Sequence, residues 1–144
     1  MEHLSGQTLV NKSKAKISVE DALKDKELVG FYFSAHWCPP CRMFTPVLAE
    51  FYEEIKDNEL PMEIIFVSSD RSEDALFDYM NSTHGDWLAL PFGSPVAEKL
   101  KESFNIQGIP SFIVVKKDGT VVSTNGRSDV EHKGSGAFKD WVKL

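Results

Sequence analysis

Three short apolar runs limit the architectures available to this chain of 144 residues. They occupy residues 28–33, 62–67 and 111–115, and they are nearly unbroken, without the alternation of apolar and polar residues that marks a strand with one wet face. Strands of this kind lie at the centre of a sheet that is covered on both sides. We therefore expect an α/β protein with helices packed on both faces of a central sheet.

A long amphipathic helix is predicted between the first two runs. Its apolar positions follow helical spacing along one face: Phe44, Val47, Leu48, Phe51 and Ile55. Pro39 and Pro40 suit its first turn, where a backbone N–H has no partner to lose, whereas Pro46 lies inside the helix and is expected to kink it. A helix between two buried strands implies parallel strands joined by a right-handed crossover.

The remaining elements are marked more weakly. They are an edge hairpin (7–10 and 15–17), a helix over 19–24 capped by Ser18, helices after Ser72 and near Ser94, and a last helix over 137–142. Asp118-Gly119 is a hairpin signal that joins the third run to residues 120–123 as antiparallel neighbours. We expect one domain over 1–144, with residues 1 to about 17 as a short extension. Its predicted form is a three-layer sandwich on a mixed sheet that ends in a C-terminal antiparallel hairpin.

Charge and hydropathy exclude several classes of function. The chain carries 16 Lys and Arg against 22 Asp and Glu, for a net charge of −6, so we expect no nucleic-acid partner. No run approaches the roughly 18 apolar residues that span a bilayer, and the N-terminus lacks the apolar stretch of a secretory signal. We therefore expect no membrane association and a cytoplasmic location, with the nucleus as a second one; thiols are kept reduced in both.

Both cysteines of the chain belong to one Cys-Pro-Pro-Cys tetrapeptide at the start of the predicted long helix. Unpaired N–H groups and the helix dipole favour an anion there, so the Cys38 thiolate is expected to form below the ordinary cysteine pKa of about 8.5. Two intervening residues in a helical turn bring the sulfurs within bonding range. Cys38 can then attack a disulfide, and Cys41 can resolve the mixed disulfide that results.

Two structural roles for the cysteine pair are less favoured. A structural disulfide would close a very short loop, and loop closure stabilises little at that length. A zinc site needs four ligands, but a second cysteine pair is missing and His84 and His132 show no metal spacing. His36, beside the tetrapeptide, is interpreted as an exposed loop residue, with a base near Cys41 as the alternative. We expect no metal and no cofactor other than the cysteine pair itself.

Several neighbours of the pair have both a structural and a functional interpretation. Trp37 either packs on the helix start or forms a wall against substrate, and Asp70 either begins a loop or accepts a proton. The Ile109-Pro110 bond would ordinarily be trans; a cis bond would turn the Ile109 backbone toward an extended substrate. Arg127 is by default a solvated surface cation.

Five segments together carry a family resemblance. They are FYFSAHWCPPCR at 31–42 followed by Phe44-Thr45-Pro46, VSSD at 67–70, WLALPF at 87–92, Ile109-Pro110-Ser111 and NGR at 125–127. These segments closely resemble the tryparedoxin and nucleoredoxin branch of the thioredoxin superfamily. The resemblance implies a thioredoxin-like α/β/α sandwich in which Cys38 attacks and Cys41 resolves. It also implies that Pro110 is the family's cis-proline and that Arg127 lies near the site.

The chain departs from its apparent relatives at several positions. Tyr32 stands where thioredoxin carries a buried Asp on the central strand, which makes Asp70 the more interesting acid. Ser69 stands where tryparedoxins tend to carry Trp, which weakens the case for a trypanothione-type electron donor. Nucleoredoxins usually contain more than one such domain, so a single-domain nucleoredoxin-like protein is the closer description.

The predicted function is that of a thiol–disulfide oxidoreductase that reduces protein or small-molecule disulfides. Its predicted catalytic residues are Cys38 and Cys41, with Asp70 as a possible proton acceptor. The candidates for substrate contact are Trp37, Pro39, Pro40, Ile109, Pro110 and Arg127. The expected partners are disulfide-containing proteins and an upstream thiol reductant or reductase. The alternative is a redox-sensitive binding module that holds or releases a signalling partner according to the oxidation state of the pair.

Overall fold

The computed structural model describes residues 2–144, so Met1 of the predicted extension lies outside the described residues. The strands are β1 (Thr8–Val10), β2 (Lys16–Ser18), β3 (Leu28–Ser34), β4 (Met62–Ser68), β5 (Leu88–Ala89), β6 (Ser111–Lys116) and β7 (Val121–Ser123). The α-helices are α1 (Val19–Ala22), α2 (Pro39–Asp57), α3 (Glu73–Thr83), α4 (Pro95–Ser103), α5 (Gly126–Lys133) and α6 (Ala137–Val142). Short 3-10 turns cover Glu2–Leu4 and Gly134–Gly136.

The strands form one mixed sheet in the order β2-β1-β5-β4-β3-β6-β7 over the described residues. The β3–β4 and β4–β5 pairs are parallel, as expected for strands joined by helices. β6 runs antiparallel to β3, and β7 antiparallel to β6, which confirms the predicted C-terminal hairpin. The N-terminal hairpin β1–β2 joins the same sheet through β5, so the predicted extension of residues 1 to about 17 contributes strands to the sheet.

Two apolar cores lie on opposite faces of the sheet. Alternate residues of β3 point to opposite faces, so Leu28 and Tyr32 enter one core while Val29 and Phe31 enter the other. The first core is covered by α2, α3, α5 and α6, and the second by α1 and α4. Every residue of β3 is buried, in agreement with its unbroken apolar run. The three-layer α/β/α architecture is therefore confirmed.

Three helices begin at the serine N-caps that the sequence predicts. The hydroxyls of Ser18, Ser72 and Ser94 accept hydrogen bonds from backbone N–H groups in the first turns of α1, α3 and α4. The hairpin turn also follows prediction, because the Asp118 carboxylate accepts a hydrogen bond from the Thr120 N–H at 2.9 Å. Local sequence therefore sets these boundaries.

Three expectations need correction. Helical spacing predicts Val47 on the buried face of α2, but its side chain is 39% exposed. At about 100° per residue it lies about 60° to one side of Phe44, whereas the buried face extends to the other side. α1 ends at Ala22 rather than at residue 24. The predicted element order also lacks β5 and α5, which the structure contains.

Candidate active site

The cysteine pair lies at the junction between the end of β3 and the start of α2. β3 ends at Ser34, a short loop follows, and Cys38 forms the N-cap of α2 with Pro39 and Pro40 in the first turn. The two sulfurs are 2.6 Å apart and both cysteines are free thiols. Cys38 retains 5% of its surface exposed, whereas Cys41 is completely buried. The two thiols are therefore adjacent but differ in access.

The segment before β6 closes the site from the other side. The Ile109–Pro110 peptide bond is cis, as the resemblance implies. The Ile109 carbonyl oxygen lies 3.9 Å from the Cys38 sulfur and accepts a weak hydrogen bond from it. Ile109 and Pro110 thus stand beside the predicted nucleophile.

An exposed apolar rim surrounds the mouth of the site. Trp37 is 48% exposed and its indole Nε1–H donates to the Ser69 carbonyl oxygen at 3.0 Å. Pro39 and Pro40 are exposed, and Met43 is 78% exposed. The indole is therefore held by a hydrogen bond while one face stays open, which is compatible with both interpretations of Trp37.

Asp70 is buried and its carboxylate is committed to the loops around the site. Oδ1 accepts from the His36 backbone N–H at 2.8 Å, and Oδ2 accepts from the Ser68 hydroxyl at 2.7 Å. Among the residues that the structure describes, no hydrogen bond joins Asp70 to Cys38 or Cys41. Its contacts tie the β3–α2 loop to the end of β4, and its part as a proton acceptor stays a prediction.

His36 is not the exposed loop residue that the sequence suggests. Its ring is partly buried and stacks on Tyr79 of α3, with ring centroids 4.8 Å apart and planes 3° from parallel. The sequence gives no sign of this contact because the two residues are 43 positions apart, and only the fold brings α3 beside the loop.

Arg127 lies on α5, a helix that the sequence did not predict. Its guanidinium lies over the Phe44 ring at 5.8 Å, and its Nε is 3.6 Å from Glu131. The start of α5 is anchored by Gly126, where a Cβ would stand 2.5 Å from the Phe112 carbonyl oxygen. Arg127 therefore packs on α2 one turn beyond Cys41 rather than lying free in solvent.

All three arginines of this acidic chain lie around this end of the sheet. Besides Arg127, Arg42 donates to the His36 carbonyl oxygen at 2.6 Å, and the Arg71 guanidinium lies 5.3 Å from the centre of the Trp37 ring. The site therefore has a positive rim on a protein whose net charge is −6.

A buried network of hydroxyl groups, which the sequence analysis missed, surrounds Cys41. The Thr45 hydroxyl is 2.6 Å from the Tyr32 hydroxyl and 2.5 Å from the Tyr79 hydroxyl, and it also lies 2.8 Å from the Cys41 carbonyl oxygen. The Tyr79 hydroxyl is in turn 2.7 Å from the Ser34 hydroxyl. Two signals were available: Ser34 follows Tyr32 on the same strand face, and Thr45 follows Cys41 by one helical turn.

Burial is the main influence on the pKa of Cys41. Loss of hydration raises the pKa of Cys41 to about 11, and the Cys38 sulfur adds to the rise. The Ser34 hydroxyl and the Ala35 backbone act in the opposite direction and lower it. Burial likewise raises the pKa of Tyr32 and of Tyr79, so both phenols are neutral donors and acceptors at neutral pH.

Residues 2–144 contain neither a cluster of metal-ligating side chains nor a helix that could span a membrane. No group of three His, Cys, Asp or Glu side chains could hold a metal ion within residues 2–144. None of the helices in the described part of the chain combines the length and the apolar character needed to cross a membrane.

Comparison with known proteins identifies the family. Residues 25–121 match the sequence model of a family described as thioredoxin-like. The chain is 45% identical over 114 residues to nucleoredoxin from Bos taurus, an alignment that covers 78% of this chain and 26% of that protein. It is 37% identical over 145 residues to tryparedoxin from Trypanosoma brucei brucei, covering 97% of this chain and 95% of that protein.

A solved structure agrees with these relatives. Thioredoxin related protein 16 from Carcinoscorpius rotundicauda superposes with a TM-score of 0.85 at 54% identity, covering 98% of this chain and 99% of that chain. The nucleoredoxins are much longer, and the chain spans 22 to 30% of their length. The resemblance found in the sequence is confirmed: this chain belongs to the thioredoxin-like oxidoreductase family, in the branch that contains the tryparedoxins and the nucleoredoxins.

Proposed function

We propose that this protein reduces disulfides, with Cys38 as the attacking thiolate and Cys41 as the resolving thiol. The observation that carries the proposal is the difference in access between two adjacent sulfurs. They are 2.6 Å apart, and only Cys38 keeps exposed surface. A substrate disulfide can therefore reach Cys38, while Cys41 is reached only through Cys38.

The proposed reaction balances in two exchange steps. The Cys38 thiolate attacks one substrate sulfur, forms a mixed disulfide and releases the other substrate sulfur as a thiolate, which takes a proton from water. Cys41 loses its thiol proton to water, and its thiolate attacks the Cys38 sulfur, forms the Cys38–Cys41 disulfide and releases the second substrate sulfur as a thiolate, which takes a proton from water. Two electrons pass from the dithiol to the substrate, and an upstream thiol reductant or reductase returns them. The cycle requires no cofactor other than this pair.

The surface around Cys38 supports an extended polypeptide as substrate. Trp37, Pro39 and Pro40 offer an apolar rim, and the Ile109 carbonyl beside the sulfur offers a backbone acceptor. The arginines Arg42, Arg71 and Arg127 favour substrates that carry carboxylates near their disulfide, because guanidinium groups bind carboxylates in well-defined geometry.

Insulin reduction with dithiothreitol as donor tests the mechanism, with the two single-cysteine variants as a matched pair. Cys38→Ser should abolish turnover because the accessible nucleophile is lost. Cys41→Ser should also stop turnover. When the reduced variant is freed of dithiothreitol and then mixed with insulin, it should trap substrate in a mixed disulfide that a non-reducing gel detects.

Two outcomes would contradict the assignment. Turnover that persists in Cys38→Ser would exclude Cys38 as the nucleophile. A mixed disulfide that accumulates in Cys38→Ser but not in Cys41→Ser would reverse the two roles.

A second candidate function is a redox-sensitive binding module. It is favoured by one relative, the Carcinoscorpius protein, whose structure is described together with a role in regulating the activity of the transcription factor NF-kB. In this role the pair would hold a signalling partner in one oxidation state and release it in the other. Pull-downs with the reduced and the oxidised protein separate the functions: slow turnover with redox-dependent retention of a partner favours the module.

Three further expectations accompany the proposal. We propose that residues 1–144 act as one domain, that Asp70 and Arg127 contribute to the site, and that the protein works in the cytoplasm or the nucleus. Fractionation of cells that express the tagged protein tests the location.

A further inference from the structure

We propose that Tyr79 is a positioning residue that acts through Thr45 to align Cys41 for its attack on the mixed disulfide. This inference deepens the proposed function and depends on it. Tyr79 belongs to α3, far from the tetrapeptide in sequence. Its hydroxyl lies 2.5 Å from the Thr45 hydroxyl, which lies 2.8 Å from the Cys41 carbonyl oxygen.

The hydrogen atoms of this network have only one consistent arrangement. Four hydroxyls supply one hydrogen each to four contacts shorter than 3 Å. The Cys41 carbonyl oxygen is an acceptor, so its contact takes the hydrogen of Thr45. Thr45 therefore accepts from both Tyr32, at 2.6 Å, and Tyr79. Tyr79 in turn accepts from Ser34 at 2.7 Å, and the whole network donates toward the backbone of Cys41.

The turn of α2 that carries Cys41 needs this support. Pro46, inside the helix, has no N–H for the Arg42 carbonyl oxygen, and it disfavours helical backbone angles at Thr45 just before it. Two tyrosine hydroxyls, from β3 and α3, converge on the Thr45 side chain at this point. Thr45 and both tyrosines are completely buried, so water cannot replace a hydrogen bond that is lost.

Tyr79 also contacts the loop that leads to Cys38. Its ring stacks on His36, two residues before that cysteine, and the His36 backbone N–H donates to Asp70. One side chain of α3 therefore contacts both the loop before Cys38 and, through Thr45, the turn of Cys41. An attack between two groups of one molecule depends strongly on their alignment, whereas attack by Cys38 on an incoming disulfide does not involve Cys41.

Stopped-flow mixing of the reduced protein with 5,5′-dithiobis(2-nitrobenzoate) tests the proposal. Attack by Cys38 forms a mixed disulfide and releases one coloured thiolate in a phase whose rate depends on reagent concentration. Attack by Cys41 on the Cys38 sulfur forms the internal disulfide and releases a second coloured thiolate, at a rate independent of reagent concentration. Thr45→Val keeps the shape of the side chain but removes its hydroxyl, and it should slow the second phase about 10-fold. The first phase should keep its rate.

Three further variants separate the hydroxyl from packing. Thr45→Ser keeps the hydroxyl and loses a methyl group, so its second phase should return close to the rate of the unmodified protein. Tyr79→Phe keeps the ring on His36 but removes a donor to Thr45, and it should slow the second phase about 3- to 10-fold. Tyr52→Phe is the matched control, because Tyr52 is also a buried tyrosine but its hydroxyl donates to Glu63 at 2.8 Å. It should leave both phases unchanged.

The outcomes distinguish failure of this inference from failure of the proposed function. Urea unfolding first confirms that each variant is folded under the assay conditions, and Tyr79→Phe carries the test if Thr45→Val is not. A second phase of normal rate in the folded variants would overturn the positioning role and leave the roles of the cysteines intact. A second phase as slow in Thr45→Ser as in Thr45→Val, or equal slowing of both phases, would also overturn it, because packing would then be the cause. Absence of the first phase in the unmodified protein would instead refute the proposed function.

Discussion

Acid should destabilise this protein through one buried histidine. Four aromatic rings surround His84: Tyr32, Phe66, Tyr79 and Trp87. Its Nδ1 accepts a hydrogen bond of 3.0 Å from the Trp87 Nε1–H. Burial, reinforced by the positive charge of Lys12, lowers the pKa of His84 from 6.5 to about 3.

The sign of the effect follows from which state, folded or unfolded, binds a proton at His84. Between pH 6.5 and 3 the unfolded chain protonates His84 while the folded state keeps it neutral. The contribution of neutral His84 to stability is therefore complete above pH 6.5 and is lost as the pH falls. The expected loss of free energy of unfolding is about 1 kcal/mol at pH 6, about 2 kcal/mol at pH 5 and about 3 kcal/mol at pH 4.

Urea unfolding between pH 4 and 7, followed by tryptophan fluorescence, measures this loss. His84→Gln keeps an acceptor for Trp87 but does not titrate, so its free energy of unfolding should fall less steeply with acid. His132→Gln, at an exposed histidine, is the control and should follow the unmodified protein. The carboxylates titrate alike in all three proteins, so the difference in slope isolates His84. Equal slopes in all three would refute the reasoning.

Three further predictions concern packing and substrate contact. Gly126→Ala should lower the free energy of unfolding by about 1–3 kcal/mol, because the new Cβ would clash with the Phe112 backbone. Gly136→Ala is the control, since its Cβ would lie in open space and should change the free energy of unfolding little. Urea unfolding at pH 7 compares the two variants. Trp37→Ala should raise KM for insulin about 5- to 30-fold through loss of an exposed apolar contact. The rate at which Cys38 attacks the small aromatic disulfide 5,5′-dithiobis(2-nitrobenzoate) serves as the reference, and an unchanged KM would exclude Trp37 from the substrate surface. Arg71→Ala should lower kcat/KM for an acidic peptide disulfide about 2- to 5-fold at low salt, and the loss should vanish in 1 M salt as charge is screened; an equal loss for a neutral peptide would contradict a charge effect.

The central fold was predictable because its signals are dense and local. The unbroken apolar run of β3 and the periodicity of α2 leave few alternatives, and hydroxyl caps mark the starts of α1, α3 and α4. β5 has only two residues, too few to show any periodicity, and it exists because β4 and β1 pair with it.

The start of α5 shows why other elements escaped prediction. Its sequence is mostly polar and lacks an apolar stripe, and only Gly126 and Val130 are buried. Tertiary contacts hold it instead: the Asp129 carboxylate accepts hydrogen bonds from the Ser123 hydroxyl at 2.7 Å and from the Trp141 indole at 2.9 Å. Such contacts cannot be read from a local window of sequence.

The candidate site likewise combines features that were predictable from the sequence with contacts that depend on the tertiary fold. The Cys-Pro-Pro-Cys tetrapeptide and its place at the start of α2 follow from local sequence, and the cis bond before Pro110 follows from family resemblance. The stacking of His36 on Tyr79, and the hydroxyls that reach Cys41, depend on α3 packing beside the β3–α2 loop. For Tyr32 the sequence indicated only that it replaces the buried Asp of thioredoxin. Its hydrogen-bond partners were not predicted, because they are distant in sequence.

The N-terminal hairpin has a consequence for how copies of this protein behave at high concentration. β1 covers β5, so the described sheet terminates in β2 on one side and β7 on the other, each of three residues. Short terminal strands expose few unpaired backbone groups, and the exposed Lys16 adds a charge to one of them. Both borders of the sheet therefore offer little template for strand-by-strand aggregation.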